Sequence, residues 1–117
     1  MRILIADDEP RVRSALRLLL HQESDTSEIY EAGDGEAMMH CAAREHLDLV
    51  ILDWNLPHIG GYTALKALRA AQPDVAIIVL NSQSAPRHTV LATGADAFVS
   101  KGDPPERLLA TISHLTI

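Results

Sequence analysis

Three short apolar runs in this chain each stop at a charged residue. Ile3-Leu4-Ile5-Ala6 ends in Asp7-Asp8, Leu49-Val50-Ile51-Leu52 ends in Asp53, and Ala97-Phe98-Val99-Ser100 ends in Lys101. Runs that are apolar at nearly every position predict strands buried on both faces. Residues 75–80 form a longer run of the same kind and predict a central strand, whereas 28–32 are more polar and suit a sheet edge.

Between these runs the apolar period lengthens. Val12, Ala15, Leu16 and Leu19 recur at helical spacing behind Pro10, which is tolerated at a helix start. Gly33-Asp34-Gly35 predicts a turn, followed by a helix over about 36–45. Pro57 and Gly60-Gly61 mark a loop, and 62–71 a third helix closed by Pro73. Residues 81–86 read as a polar loop and about 87–92 as a short helix, after which Gly94 turns the chain. Pro104-Pro105 opens a last helix, with Asp103 as its expected N-cap and Leu108, Leu109, Ile112 and Leu115 as its apolar face. Fivefold βα alternation predicts an α/β fold: a parallel sheet with right-handed crossovers and helices on both faces. The pattern alone leaves the strand order open.

Composition narrows the function classes. At 117 residues the chain is long enough for one domain with one core, expected to span 1–117. A net charge of −6 argues against direct nucleic-acid binding, which needs clustered cations. Arg2, Arg11, Arg13 and Arg17 gather near the start and read as a solvated helix face. The single cysteine, Cys41, excludes an internal disulfide, suits a reducing compartment and reads as a buried thiol. No segment approaches the ~20 apolar residues of a membrane span, so a cytoplasmic protein without a membrane partner is expected. Six scattered histidines lack zinc spacing and read as surface or structural residues, and Met38-Met39 reads as packing.

The charged strand ends carry the chemistry. In an open α/β sheet, ligands sit at the carboxyl edge of the strands. Asp7, Asp8 and Asp53 gathered there about 5 Å apart would repel pairwise by roughly 3 kcal/mol at an effective dielectric of 20. Such a cluster raises a pKa or recruits a cation, and hard carboxylate oxygens favour Mg²⁺. A carboxylate such as Asp53 can then attack phosphorus to give an acyl phosphate, with Lys101 as a point charge for the phosphoryl oxygens. Asp7 and Asp8 would otherwise simply cap the first helix.

Asp7-Asp8-Glu9, then Asp53-Trp54-Asn55-Leu56-Pro57 with Gly60-Gly61, then the stretch from Gly94 to Lys101 resemble the receiver domain of two-component response regulators. Gly33-Asp34-Gly35-Glu36-Ala37 adds to the likeness, which covers essentially the whole chain. The resemblance implies a doubly wound, flavodoxin-like five-stranded parallel sheet of order 2-1-3-4-5. It implies Asp53 as phosphoacceptor, Asp8 and Asp53 as direct Mg²⁺ ligands, Asp7 as an outer-shell ligand, and the backbone carbonyl of Asn55 as a further contact. Lys101 resembles the phosphate-contacting lysine, and Phe98 the aromatic switch residue, with a plain core phenylalanine as the alternative. The implied partners are a sensor histidine kinase as donor, and an output domain or partner protein. A second copy of the chain is a further candidate. The ends of the chain look most like receivers joined to a helix-turn-helix transcription factor. No enzyme in the ordinary sense is implied beyond catalysis of the chain's own phosphorylation and dephosphorylation.

Three departures stand together. Receivers carry Thr or Ser after the fourth strand, and here Asn81 occupies that position, with Ser82 next. The segment from 81 to 101 is about two residues short for the family, and Gly102 stands where many receivers have proline. They motivate an alternative, a degenerate receiver that serves as an interaction module with output uncoupled from phosphorylation. An Asp-nucleophile phosphatase is a third reading, disfavoured because Asn55 stands where such enzymes carry a second Asp.

Overall fold

The structure is a computed structural model and describes residues 1–23, 28–81 and 87–116. Five strands and five helices alternate: β1 (Arg2–Ala6), α1 (Pro10–His21), β2 (Glu28–Ala32), α2 (Gly35–Arg44), β3 (Leu49–Asp53), α3 (Gly61–Ala71), β4 (Ala76–Asn81), α4 (Arg87–Ala92), β5 (Ala97–Ser100) and α5 (Pro105–Thr116). All strand pairs are parallel, in the order β2-β1-β3-β4-β5. This is the flavodoxin-like doubly wound sheet that the family resemblance implies.

The pleat divides each strand between two cores. Ile3, Ile5, Leu49, Ile51, Ile78, Leu80 and Val99 pack with Leu16 and Leu20 of α1 and Leu108 and Ile112 of α5. The alternate residues Leu4, Ala6, Val50, Leu52, Ile77 and Val79 pack with Met38 of α2, Leu65 and Leu68 of α3, and Val90 of α4. Burial on both faces is why β3 and most of β4 read as unbroken apolar runs. β2 lies at the edge, as its polar sequence predicts.

Three local expectations change. α5 begins at Pro105, so Pro104 holds the cap position and Arg107 N–H bonds to the Pro104 carbonyl at 3.0 Å. The Asp103 carboxylate turns back to accept the Ser100 N–H at 3.2 Å and closes the turn after β5. Arg13 and Arg17 are not simply solvated. Both pair with Glu31 of β2, at 3.0 and 2.7 Å, and tie α1 to the edge strand. Asn81, expected in a loop, is the last residue of β4, paired with Ser100 of β5. Ser82 and the rest of the expected loop lie outside the described residues. Met38 and Met39 pack against the core, and Cys41 is half-buried with its thiol pKa raised by burial.

Candidate functional site

The sheet's topology makes its own crevice. β1 lies between β2 and β3, so the chain leaves the carboxyl ends of β1 and β3 in opposite directions, and the gap between them is the topological switch point. The pleat then selects the side chains that enter. Ile5 and Ile51 face the α1/α5 core. Two residues further on, Asp7 and Asp53 keep that phase, as does Lys101 two residues after Val99.

The result is one compact charged cluster. Asp7, Asp8 and Asp53 each offer a carboxylate oxygen within 4.8 Å of the others. Lys101 Nζ stands 2.8 Å from Asp7 Oδ2 and 3.6 Å from Asp53 Oδ2. Asp7 and Asp53 are 1% and 3% exposed, while Asp8 is open to solvent. Asp7 Oδ2 lacks a partner of good hydrogen-bond geometry, yet at 2.8 Å its ion pair with Lys101 is close. Asp7 Oδ1 accepts the Glu9 N–H at 2.9 Å. Neither aspartate caps α1, whose N-cap is Glu9 without a side-chain cap bond.

The electrostatics follow from this crowding. Burial, the largest influence on Asp53, pushes its carboxyl pKa up. The Asn55 N–H bond to Asp53 Oδ1, at 3.1 Å, opposes the rise, as does Lys101, while the charges of Asp7 and Asp8 add to it. For Lys101, burial pulls the pKa down as the largest single influence. The hydrogen bond to Asp7 and the charges of Asp7, Asp53 and Glu9 outweigh it, and the net direction is up.

The remaining residues sit around this cluster. Asn55 lies in the loop after β3, and its Nδ2 donates to the Oδ1 of Asn81, at the end of the neighbouring β4, at 3.3 Å. Asn81 is buried, and its carbonyl accepts the Lys101 N–H at 3.0 Å. Phe98 pairs with Val79 in register and packs, half-buried, on the opposite core from Lys101's strand phase. Two contributors carry no role in the sequence reading. Glu9 lies 3.6 Å from Lys101 Nζ, and Arg13 Nη1 donates to the Asp7 carbonyl at 2.7 Å from behind. Neither contact is a pairing of Glu9 with Arg13, so their i, i+4 spacing does not mark either in the sequence.

The donor set suits a hard divalent cation. Every candidate ligand is an oxygen, and three carboxylates face one ammonium, which leaves net negative charge for a cation to offset. The exposed Asp8 side leaves room for water ligands.

An open doubly wound sheet with acids and a lysine gathered over its switch point defines the receiver class of signalling domain. The chain belongs to that family: the model described as "Response regulator receiver domain" matches residues 3–113. It is 31% identical over 113 residues to the nitrate/nitrite response regulator protein NarP of Escherichia coli, covering 95% of this chain and 53% of that protein. It is 35% identical to the transcriptional regulatory protein YhcZ of Bacillus subtilis, with the same coverage. The chain thus spans about half the length of these relatives. Among solved structures it resembles RcsB of Salmonella enterica serovar Typhimurium, determined bound to promoter rprA with the phosphomimetic BeF₃⁻, with a TM-score of 0.91, 26% identity, and 100% and 99% of the two chains covered. A CheY-like receiver domain protein from Methanospirillum hungatei gives 0.88 at 26% identity, over 97% of this chain and 90% of that one.

Proposed function

We propose that Asp53 is the phosphoacceptor of a single receiver domain spanning 1–117, phosphorylated by a sensor histidine kinase in a Mg²⁺-dependent reaction. The observation that carries this reading is the buried Asp53 carboxylate, 3.6 Å from Lys101 Nζ and within 4.8 Å of Asp7 and Asp8.

A carboxylate oxygen of Asp53 attacks the phosphorus of a phosphohistidine. The new O–P bond forms as the P–N bond breaks, and the imidazole leaves and takes up a proton. Asp8, Asp53 and the Asn55 backbone carbonyl would hold the cation directly and Asp7 from the outer shell. When bound, the cation offsets the charge of the acids and of the transferring phosphoryl group. Lys101 supplies a point charge for a phosphoryl oxygen. The Asn81 amide stands at the position of the family's hydroxyl and can donate a hydrogen bond there. Phe98 stands at the aromatic switch position.

The output is a joined domain or a partner protein in the cytoplasm, of transcriptional type by analogy with the relatives, and the receiver does not itself bind nucleic acid. Dimerisation on phosphorylation belongs to the same reading. No helix among the described residues is long and apolar enough to cross a membrane. The intact acids and lysine favour a phosphorylatable receiver over a degenerate one.

The test is treatment with acetyl phosphate and Mg²⁺, read by intact mass. The wild type should gain one phosphoryl group and Asp53→Asn none. Equal labelling of the Asp53→Asn variant would move the acceptor elsewhere.

A further inference from the structure

Asn55 and Asn81 belong to different segments, yet their side chains meet beside the acceptor. Asn55 lies in the loop after β3, where its N–H already donates to Asp53 Oδ1 at 3.1 Å. Its Nδ2 reaches the Oδ1 of Asn81 at 3.3 Å. Asn55 is exposed, so by itself its side chain would be free to turn among rotamers. Asn81 is the opposite. It is 2% exposed, its residue is paired in the sheet, and its carbonyl holds the Lys101 N–H. A fixed amide therefore anchors a mobile one. A hydroxyl at position 81 is shorter than an amide and would not span the same gap.

We infer that Asn81 is a positioning residue for the cation site, acting through the Asn55 side chain to fix the Asn55 backbone carbonyl. This rests on the proposed Mg²⁺ site and deepens it. The ligand atom is main chain, so it survives truncation of either side chain, and only its order is lost. The same bond makes cation binding and the end of β4 reciprocal, because whatever fixes Asn55 fixes its partner.

The test is a double-mutant cycle on Mg²⁺ affinity, read by Trp54 fluorescence in the full chain with Mg²⁺ alone as probe. Asn55→Ala and Asn81→Ala should each weaken binding about five-fold, the worth of one ordinary hydrogen bond. The double variant should be no weaker than either single one. Full additivity would overturn the inference, as would unchanged affinity in Asn81→Ala. Should the buried Asn81→Ala substitution fail to fold, Asn81→Ser replaces it in the cycle, since its shorter hydroxyl would not reach Asn55: about five-fold weakening that does not add to that of Asn55→Ala supports the coupling, and unchanged affinity refutes it. A wild type that gives no Mg²⁺ response removes the cation site and this coupling together. A wild type that responds beside an additive cycle removes only the coupling.

Discussion

Ionised Asp53 lowers the stability of the fold. Burial raises its pKa above the ordinary carboxylate value, so the folded chain holds that proton more tightly than the unfolded chain. Its ionisation therefore costs nothing below the unfolded value. The cost grows as pH rises through the window up to the raised folded value, and is fully present above it. Asp53→Asn should accordingly raise the melting temperature at neutral pH by a few degrees, the size of ~1 kcal/mol in a domain of this length. The gain should vanish in acid, and melts recorded across that pH range check it. Lys101 runs the other way. With its pKa raised, its stabilising contribution is present below the unfolded lysine value and lost as pH climbs through the folded one. At the same scale, Gly61 lies so close to Trp54 that an added Cβ would fall 2.3 Å from the ring atom Cδ2. Gly61→Ala should cost about 1–3 kcal/mol by overpacking, seen as a lower urea midpoint.

Single polar side chains join the elements. Gln72, just after α3, donates through Nε2 to the carbonyls of Ala42 and Glu45 at 2.8 and 2.7 Å, and accepts the Leu47 N–H at 2.9 Å. It thereby satisfies the end of α2 and the approach to β3 at once. Gln72→Ala should destabilise the domain by about 2 kcal/mol without altering Mg²⁺ affinity, as denaturation and titration together would show. Arg69 of α3 similarly binds the carbonyls of Pro73, Val75 and Gly94 and the carboxylate of Asp96. None of these cross-links is legible in the sequence: those to Ala42, Glu45, Leu47, Gly94 and Asp96 join residues far apart in the chain, and those to Pro73 and Val75 are to backbone carbonyls, which carry no side-chain signal. The strands and helices are legible, since two-sided burial and helical periodicity are local signals. The role of Asp103 escapes the local pattern for a related reason. Its side chain serves the turn behind it, and Pro104-Pro105 displaces the helix start by one residue.

The whole molecule turns three separated strand ends into one pocket. Asp7-Asp8, Asp53 and Lys101 were legible as candidates because each terminates an apolar run, and their convergence depends on the 2-1-3-4-5 order, which the pattern left open. The contacts of Glu9 and Arg13 and the Asn55–Asn81 bond are not legible in the sequence, since each depends on how far a side chain reaches in the folded chain. The chain spans about half the length of the relatives it matches. The most direct measurement is phosphodonor labelling of the wild type with Mg²⁺ or with a chelator, followed by peptide mapping of the added mass. Labelling confined to Asp53 and dependent on Mg²⁺ is the expected result. Labelling at another residue, or at Asp53 with equal yield under chelation, would contradict it.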